Sequence, residues 1–416
     1  MADTRRIARN ITQTLFVAQA LASAGFIVIA TVNAIVGAQL SGRPAWAGVP
    51  GGVYQLGGAL AALGWGYGLD WLGRRNGLAL GLALGVIGSA LAGGALIGHS
   101  FLVFLAGLSL MGAANAAMQL GRFAAAEVHL PAERGRAIST VVLAGTIGAI
   151  FGPLLVGPVG QGAQRLGLDE LVGPYGASLA LFVCAAAVIL VRLRPDPRDV
   201  GRELARLHPE TTPYHGPTRS IAAILREPAV LVAMAAMVFG QLTMVMLMVI
   251  TSLHMKGHYH PLTAISLTIS AHTVGMFAFS ILSGRLADRW GRGPVILIGA
   301  GTLAVACLTA PLSPDVLPIA AALFLLGLGW NFCYVGGSSL LADQLSPAER
   351  ARTQGFNDLL IALVSALGSL GSGVVFATLG YSAMGLVGAV AALIPLVLAL
   401  WWQVGQRAAI VAQRPE

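Results

Sequence analysis

The stretch Gly66-Tyr67-Gly68-Leu69-Asp70-Trp71-Leu72-Gly73-Arg74-Arg75 returns far along the chain as Gly284-Arg285-Leu286-Ala287-Asp288-Arg289-Trp290-Gly291-Arg292. Asp70 and Asp288 lie 218 residues apart. A second pair echoes the first: Leu130-Pro131-Ala132-Glu133-Arg134 and Ser346-Pro347-Ala348-Glu349-Arg350, 216 residues apart. Self-similarity at half the chain length points to two related halves. The glycines let two helices approach and turn sharply. The aspartates can accept hydrogen bonds from a helix N-terminus or pair with Arg. An ordinary basic loop would explain one copy; two copies with the same Gly-x-x-x-Asp-x-x-Gly-Arg spacing at matched places need more. Gly66, Asp70, Gly73, Arg74, Gly284, Asp288, Gly291 and Arg292 therefore mark two matched tight loops, whose contacts depend on how the halves are tilted.

On both sides of these loops the chain is apolar. Its 416 residues are 56% hydrophobic and 10% charged, with mean hydropathy +0.79, against roughly 25% charge in ordinary globular domains. Runs long enough to cross a bilayer as helices occur twelve times: 12–38, 46–67, 76–97, 101–124, 137–160, 174–193, 228–252, 262–283, 294–312, 317–342, 353–377 and 381–403. Backbone groups in lipid must bond internally, so an all-α membrane protein follows. Its expected parts are a six-helix bundle over 1–193, a cytoplasmic linker over 194–227 and a second six-helix bundle over 228–416.

The net charge of +8 does not indicate nucleic acid. Only Arg43, Arg165 and Lys256 fall in connectors on one side of the alternation; the other basic residues gather on the opposite side. This bias predicts a multi-pass protein of the cell membrane with both termini in the cytoplasm, and the short basic leader Arg5-Arg6-Arg9 does not read as a cleavable signal. Cys184, Cys307 and Cys333 lie within the expected spans without paired spacing, which predicts free thiols.

With its doubled loop the chain resembles the major facilitator superfamily along its whole length. The resemblance implies two pseudo-symmetric bundles that rock about a midplane site, a monomer in lipid with no cofactor, and secondary active transport by alternating access. Trp71 departs from the pattern, which usually has a basic residue there. Gly145-Thr146-Ile147-Gly148-Ala149-Ile150-Phe151-Gly152-Pro153 in span five resembles the Gly-x-x-x-Gly-Pro motif of the superfamily's antiporters, and equally fits close helix packing. No acidic residue falls deep within a span, so the usual intramembrane proton carrier is missing. Arg122 and Glu127, near the inner end of span four, read as a gate or loop anchor, and Asp343, at a cytoplasmic helix end, joins the gating-loop residues.

Spans seven and eight carry soft ligands. Met244 and Met248 stand four apart, as do His272 and Met276, so each pair shares a helix face. Counting at about 1.5 Å per residue, Met248 lies nearest the outer end, Met244 and His272 come at similar depth, and Met276 lies about a turn deeper. The connector supplies His254, Met255, His258 and His260 as an outer vestibule. Thioether and imidazole donors suit Cu(I). Met-x-x-x-Met followed 28 residues later by His-x-x-x-Met resembles the CcoA-like copper importer subgroup. So do Gly327-Leu328-Gly329-Trp330-Asn331-Phe332 and Gln354-Gly355-Phe356-Asn357-Asp358. That resemblance implies copper, as transported substrate, entering the cytoplasm through Met244, Met248, His272 and Met276.

The alternative is a proton-coupled exporter or antiporter of a small organic solute or drug. Methionines also pack cores and line promiscuous sites. Asn33, Gln55, Asn115, Gln119, Gln241, Asn331 and Tyr334 are expected to line the cavity and would serve such a solute. A static membrane sensor would have no use for two matched gating loops. An enzyme is not expected: the phosphate loop needs a lysine, and Lys256, the only one, lacks that context. Nucleophile elbow, metalloprotease helix and dinucleotide fingerprint are missing too.

Overall fold

The computed structural model describes residues 2–207 and 219–412; linker positions 208–218 and the extreme termini lie outside the described residues. The first half folds as α1 (Ala2–Ser41), α2 (Val49–Leu72), α3 (Arg74–Ile97), α4 (Phe101–Gln119), α5 (Gly121–Glu127), α6 (Pro131–Phe151), α7 (Val156–Arg165) and α8 (Val172–Arg192). The described parts of the linker carry α9 (Pro197–Leu207) and α10 (Ile221–Ile224). The second half folds as α11 (Pro228–Gly257), α12 (Leu262–Phe277), α13 (Ser280–Trp290), α14 (Arg292–Thr309), α15 (Val316–Asp343) and α16 (Pro347–Ala412). No strand occurs among the described residues. The chain divides into two compact units, residues 1–212 with 261–270, and residues 213–260 with 271–416.

Each of the twelve expected spans falls on a helix or on two consecutive ones. Ten described segments are long and apolar enough to cross a membrane. Spans eleven and twelve share α16, which turns at Gly380 with φ 80° and ψ −178°. No proline or polar connector marks that turn; one glycine able to adopt positive φ suffices. Span five divides into α6 and α7 at Gly152-Pro153, where proline removes a backbone donor. Span seven is longer than expected, because α11 continues to Gly257. His254 and Met255 are thus helical rather than part of a connector.

Glycines set the closest crossings. A Cβ on Gly112 of α4 would lie 2.0 Å from the Tyr54 carbonyl of α2. In the second unit a Cβ on Gly327 of α15 would lie 2.2 Å from the His272 carbonyl, and one on Gly275 of α12 would lie 2.3 Å from that of Phe324. Only glycine lets two backbones approach this closely. The span-five motif acts in the same way: a Cβ on Gly148 would meet the Ala20 carbonyl at 2.2 Å, seating α6 on α1.

The repeated loops are matched turns. Gly73 ends α2 with φ 83° and ψ 162°, and Gly291 ends α13 with φ 92° and ψ 161°. This region is essentially restricted to glycine and costs other residues about 1–3 kcal/mol. Gly291→Ala, whose new Cβ would meet nothing nearer than Pro294 Cδ at 3.8 Å, is expected to lose that amount through backbone strain alone. Gly73→Ala is expected to lose more, because its Cβ would lie 2.7 Å from Asp196 Oδ2. Thermal unfolding of both variants in detergent checks the order; equal stability to the parent in both would contradict it.

Candidate functional site

At each loop one arginine gathers two carboxylates. Arg74 Nη1 lies 2.8 Å from Asp70 Oδ1. Arg74 Nε also donates to Glu127 Oε2 at 2.9 Å, and its Nη2 to Glu127 Oε1 at 2.5 Å. The second unit repeats the set: Arg292 Nη1 lies 3.2 Å from Asp288 Oδ1, and Arg292 Nε donates to Asp343 Oδ2 at 2.9 Å. The first set is two-pronged, which adds directional strength. Arg122 and Glu127, the expected gate or loop anchor, have different partners. Glu127 faces Arg74, while the Arg122 guanidinium carbon sits 5.0 Å over the Phe123 ring. Arg74, across the Gly73 turn from Asp70, already fills both Glu127 carboxylate oxygens.

Sequence reading missed the residues that tie the linker down. The Asp196 carboxylate accepts from the backbone N–H of Arg74 and Arg75 at 3.1 and 3.0 Å, capping α3, where the helix dipole favours negative charge. It also accepts from Arg198 N at 2.9 Å, capping α9. Arg198 Nη1 donates to the Asp70 carbonyl at 2.8 Å. In the second unit Glu349, 3% exposed, accepts from Arg219 N, Arg219 Nε and Ser346 N. Asp196 before Pro197 is a legible cap for α9; its grip on α3, 121 residues away, has no local signal.

The soft-ligand residues lie on two helices of the second half. Met244 of α11 is buried and Met248, a turn on, is half-buried. On α12, His272 is buried and Met276 is half-buried. The His272 ring donates from Nδ1 to the Leu323 carbonyl of α15 at 2.9 Å, while Nε2 has no partner. In the neutral ring this leaves Nε2 a bare acceptor. Asn331 Nδ2 donates to the Met276 carbonyl at 2.6 Å and to Ser280 Oγ at 2.8 Å, and Ser283 Oγ donates to Asn331 Oδ1. One face of α15 thus fixes both ends of the His272–Met276 turn. Among the described residues, no three His, Cys, Asp or Glu side chains are grouped to hold a metal.

The expected vestibule and cavity residues separate. Met255 is fully buried and packs the core, because α11 runs past it. His254 lies flat on Tyr381, with ring centroids 4.0 Å apart. His258 is exposed, and His260 Nε2 donates to the Pro314 carbonyl at 2.8 Å. Asn33 accepts from Tyr175 Oη at 2.9 Å inside the first bundle, so it serves packing there, as Asn331 does between helices of the second. Gln55 and Asn115 are half-buried and Gln119 is exposed. Gln241 accepts from Trp330 Nε1 at 2.7 Å and donates to Ser365 Oγ at 3.0 Å. Trp330 stacks on Tyr334 with centroids 4.9 Å apart, a planar aromatic wall.

The Major Facilitator Superfamily profile matches residues 15–257 and 234–416. YdeG of Bacillus subtilis, an MFS-type transporter, is 34% identical over 94% of this chain and 91% of its own. The riboflavin transporter RfnT of Brucella anthropi is 30% identical over 96% of this chain and 98% of its own. Among solved structures, that of a D-xylose–proton symporter superposes with TM-score 0.69 at 17% identity, over 93% of this chain and 96% of the other. Doubled glycine loops, all-helical crossings and full-length relatives agree: the chain belongs to the Major Facilitator Superfamily and is a membrane transporter rather than an enzyme.

Proposed function

We propose that the chain carries Cu(I) by alternating access, taking it into the cytoplasm through Met244, Met248, His272 and Met276. The observation that carries this reading is His272, 1% exposed, with Nδ1 on a backbone carbonyl and Nε2 unpartnered. Metal-binding histidines are oriented in this way, one ring N–H donated to a carbonyl so that the other nitrogen faces the ion. Met276 stands one helical turn away. Neutral thioethers suit Cu(I) and need no deprotonation. The same reading places the protein in the cell membrane as a monomer, with both termini cytoplasmic.

A second reading is supported by Gln241, Trp330 and Tyr334. An amide hydrogen-bonded to an indole, beside two stacked rings, suits a planar organic solute, and RfnT is named a riboflavin transporter. Titration of purified protein under reducing conditions separates the two. Cu(I) should bind stoichiometrically to the wild type, and His272→Ala/Met276→Ala should lose the site. Absence of Cu(I) binding, with thermal stabilisation by a flavin or other planar heterocycle, would sink the copper reading and support the second.

A further inference from the structure

His254 and His258 stand one turn apart on the last turn of α11 and its cap. Their ring centroids are 4.4 Å apart at an interplanar angle of 60°. His258 Nδ1 bonds the His254 carbonyl at 3.0 Å, so its Nε2 is the nitrogen left for a ligand. The ring nitrogens of His254 make no hydrogen bond among the described residues. That ring is held by stacking: Tyr381 lies parallel beneath it, and Tyr381 Oη is fixed at 2.7 Å from Thr251 Oγ1. Tyr381 in turn follows the Gly380 turn within α16.

Simple aromatic packing would account for His254 on Tyr381. It does not account for an exposed second imidazole against the first, with one nitrogen already tied to the helix. Two histidines at i and i+4 on one helix face form a recurrent chelate for transition metals. We propose that His254 and His258 form a two-imidazole site for a divalent transition-metal ion such as Cu(II), Zn(II) or Ni(II), the class imidazole suits. Two protein ligands leave water to complete the coordination shell, so the ion is exchangeable. Met248 lies six residues back on the same helix, about 9 Å by helical rise. The site does not rest on the Cu(I) reading, because its ligands are borderline nitrogen donors rather than thioethers.

Full-length protein in detergent, titrated with Cu(II) alone and no reductant, tests this by electron paramagnetic resonance. One equivalent should bind with hyperfine structure from two nitrogens. His258→Gln, on an exposed side chain whose loss leaves folding intact, and His254→Gln should each weaken binding by about 10-fold or more, as expected for loss of a metal ligand. His272→Ala/Met276→Ala should retain the Cu(II) signal in full. The proposal is overturned if the wild type binds no stoichiometric Cu(II). It is equally overturned if both glutamine variants bind as the wild type does, or if the signal is lost with His272 and Met276.

Discussion

Gly327→Val should abolish Cu(I) binding and lower thermal stability, although residue 327 supplies no ligand. Even one added carbon at this position would lie 2.2 Å from the His272 carbonyl and 2.9 Å from the Met276 nitrogen. Both neighbours are backbone atoms of α12, so no side chain can swing aside. Overpacking of this kind costs about 1–3 kcal/mol, and relief requires α15 to move away from α12. That movement breaks the bond from His272 Nδ1 to the Leu323 carbonyl and the bond from Asn331 to the Met276 carbonyl. The imidazole then loses the partner that orients it. Gly301→Ala, where an added Cβ meets nothing within 4 Å, should behave as the parent. Thermal unfolding reads the packing, and Cu(I) titration reads the orientation. Parent-like values in both assays for Gly327→Val would contradict the argument.

That dependence explains why the candidate site was only half legible in the sequence. Hydropathy placed each of the twelve expected spans on helix because a bilayer demands long apolar helices wherever they occur. The repeat gave the loops because Asp70 and Arg74 recur as Asp288 and Arg292, whereas the shared roles of Glu127 and Asp343 show only in the structure. His272 and Met276 stood out because few polar or soft residues occur inside spans. Their supports did not stand out. Leu323 contributes only a carbonyl, which every residue has, and Gly327 contributes only the absence of a side chain. The cap that Asp196 places on α3 likewise joins residues far apart in sequence. Burial reversed other assignments for a related reason: Asn33 and Met255 look like cavity or vestibule residues by type, but the helix face that each occupies turns inward.

Glu349→Ala should release the carboxyl end of the linker without touching either loop arginine. Arg219 N donates to Glu349 Oε1 at 2.9 Å, Arg219 Nε to Oε1 at 3.0 Å and Arg219 Nη2 to Oε2 at 3.0 Å, while Ser346 N donates to Oε2 at 3.0 Å. Arg352 Nη2 adds a bond to the Arg219 carbonyl. These donors converge on one carboxylate, and Arg219 first among them holds its pKa well below the ordinary 4.5. A depressed folded-state pKa fixes the sign of the pH dependence. The clamp contributes fully above about pH 4.5 and weakens as pH falls below it towards the folded value. Glu349→Gln should weaken the clamp as well, since its amide N–H₂ would face groups that are themselves donors. Without the carboxylate, the backbone at Arg219 keeps only the bond from Arg352 to the start of α16, and exposed, weakly held segments are preferred sites of proteolytic nicking. Limited trypsin digestion of detergent-solubilised protein should therefore cut after Arg219 or Arg226 several-fold faster in Glu349→Ala than in the parent. The parent itself should become more susceptible to an acid-active protease as pH drops below 4.5. The first half offers a control, because Glu133, at the matching repeat position, is exposed. Glu133→Ala should digest at the parental rate, and an equal acceleration in both variants would show that the clamp holds nothing.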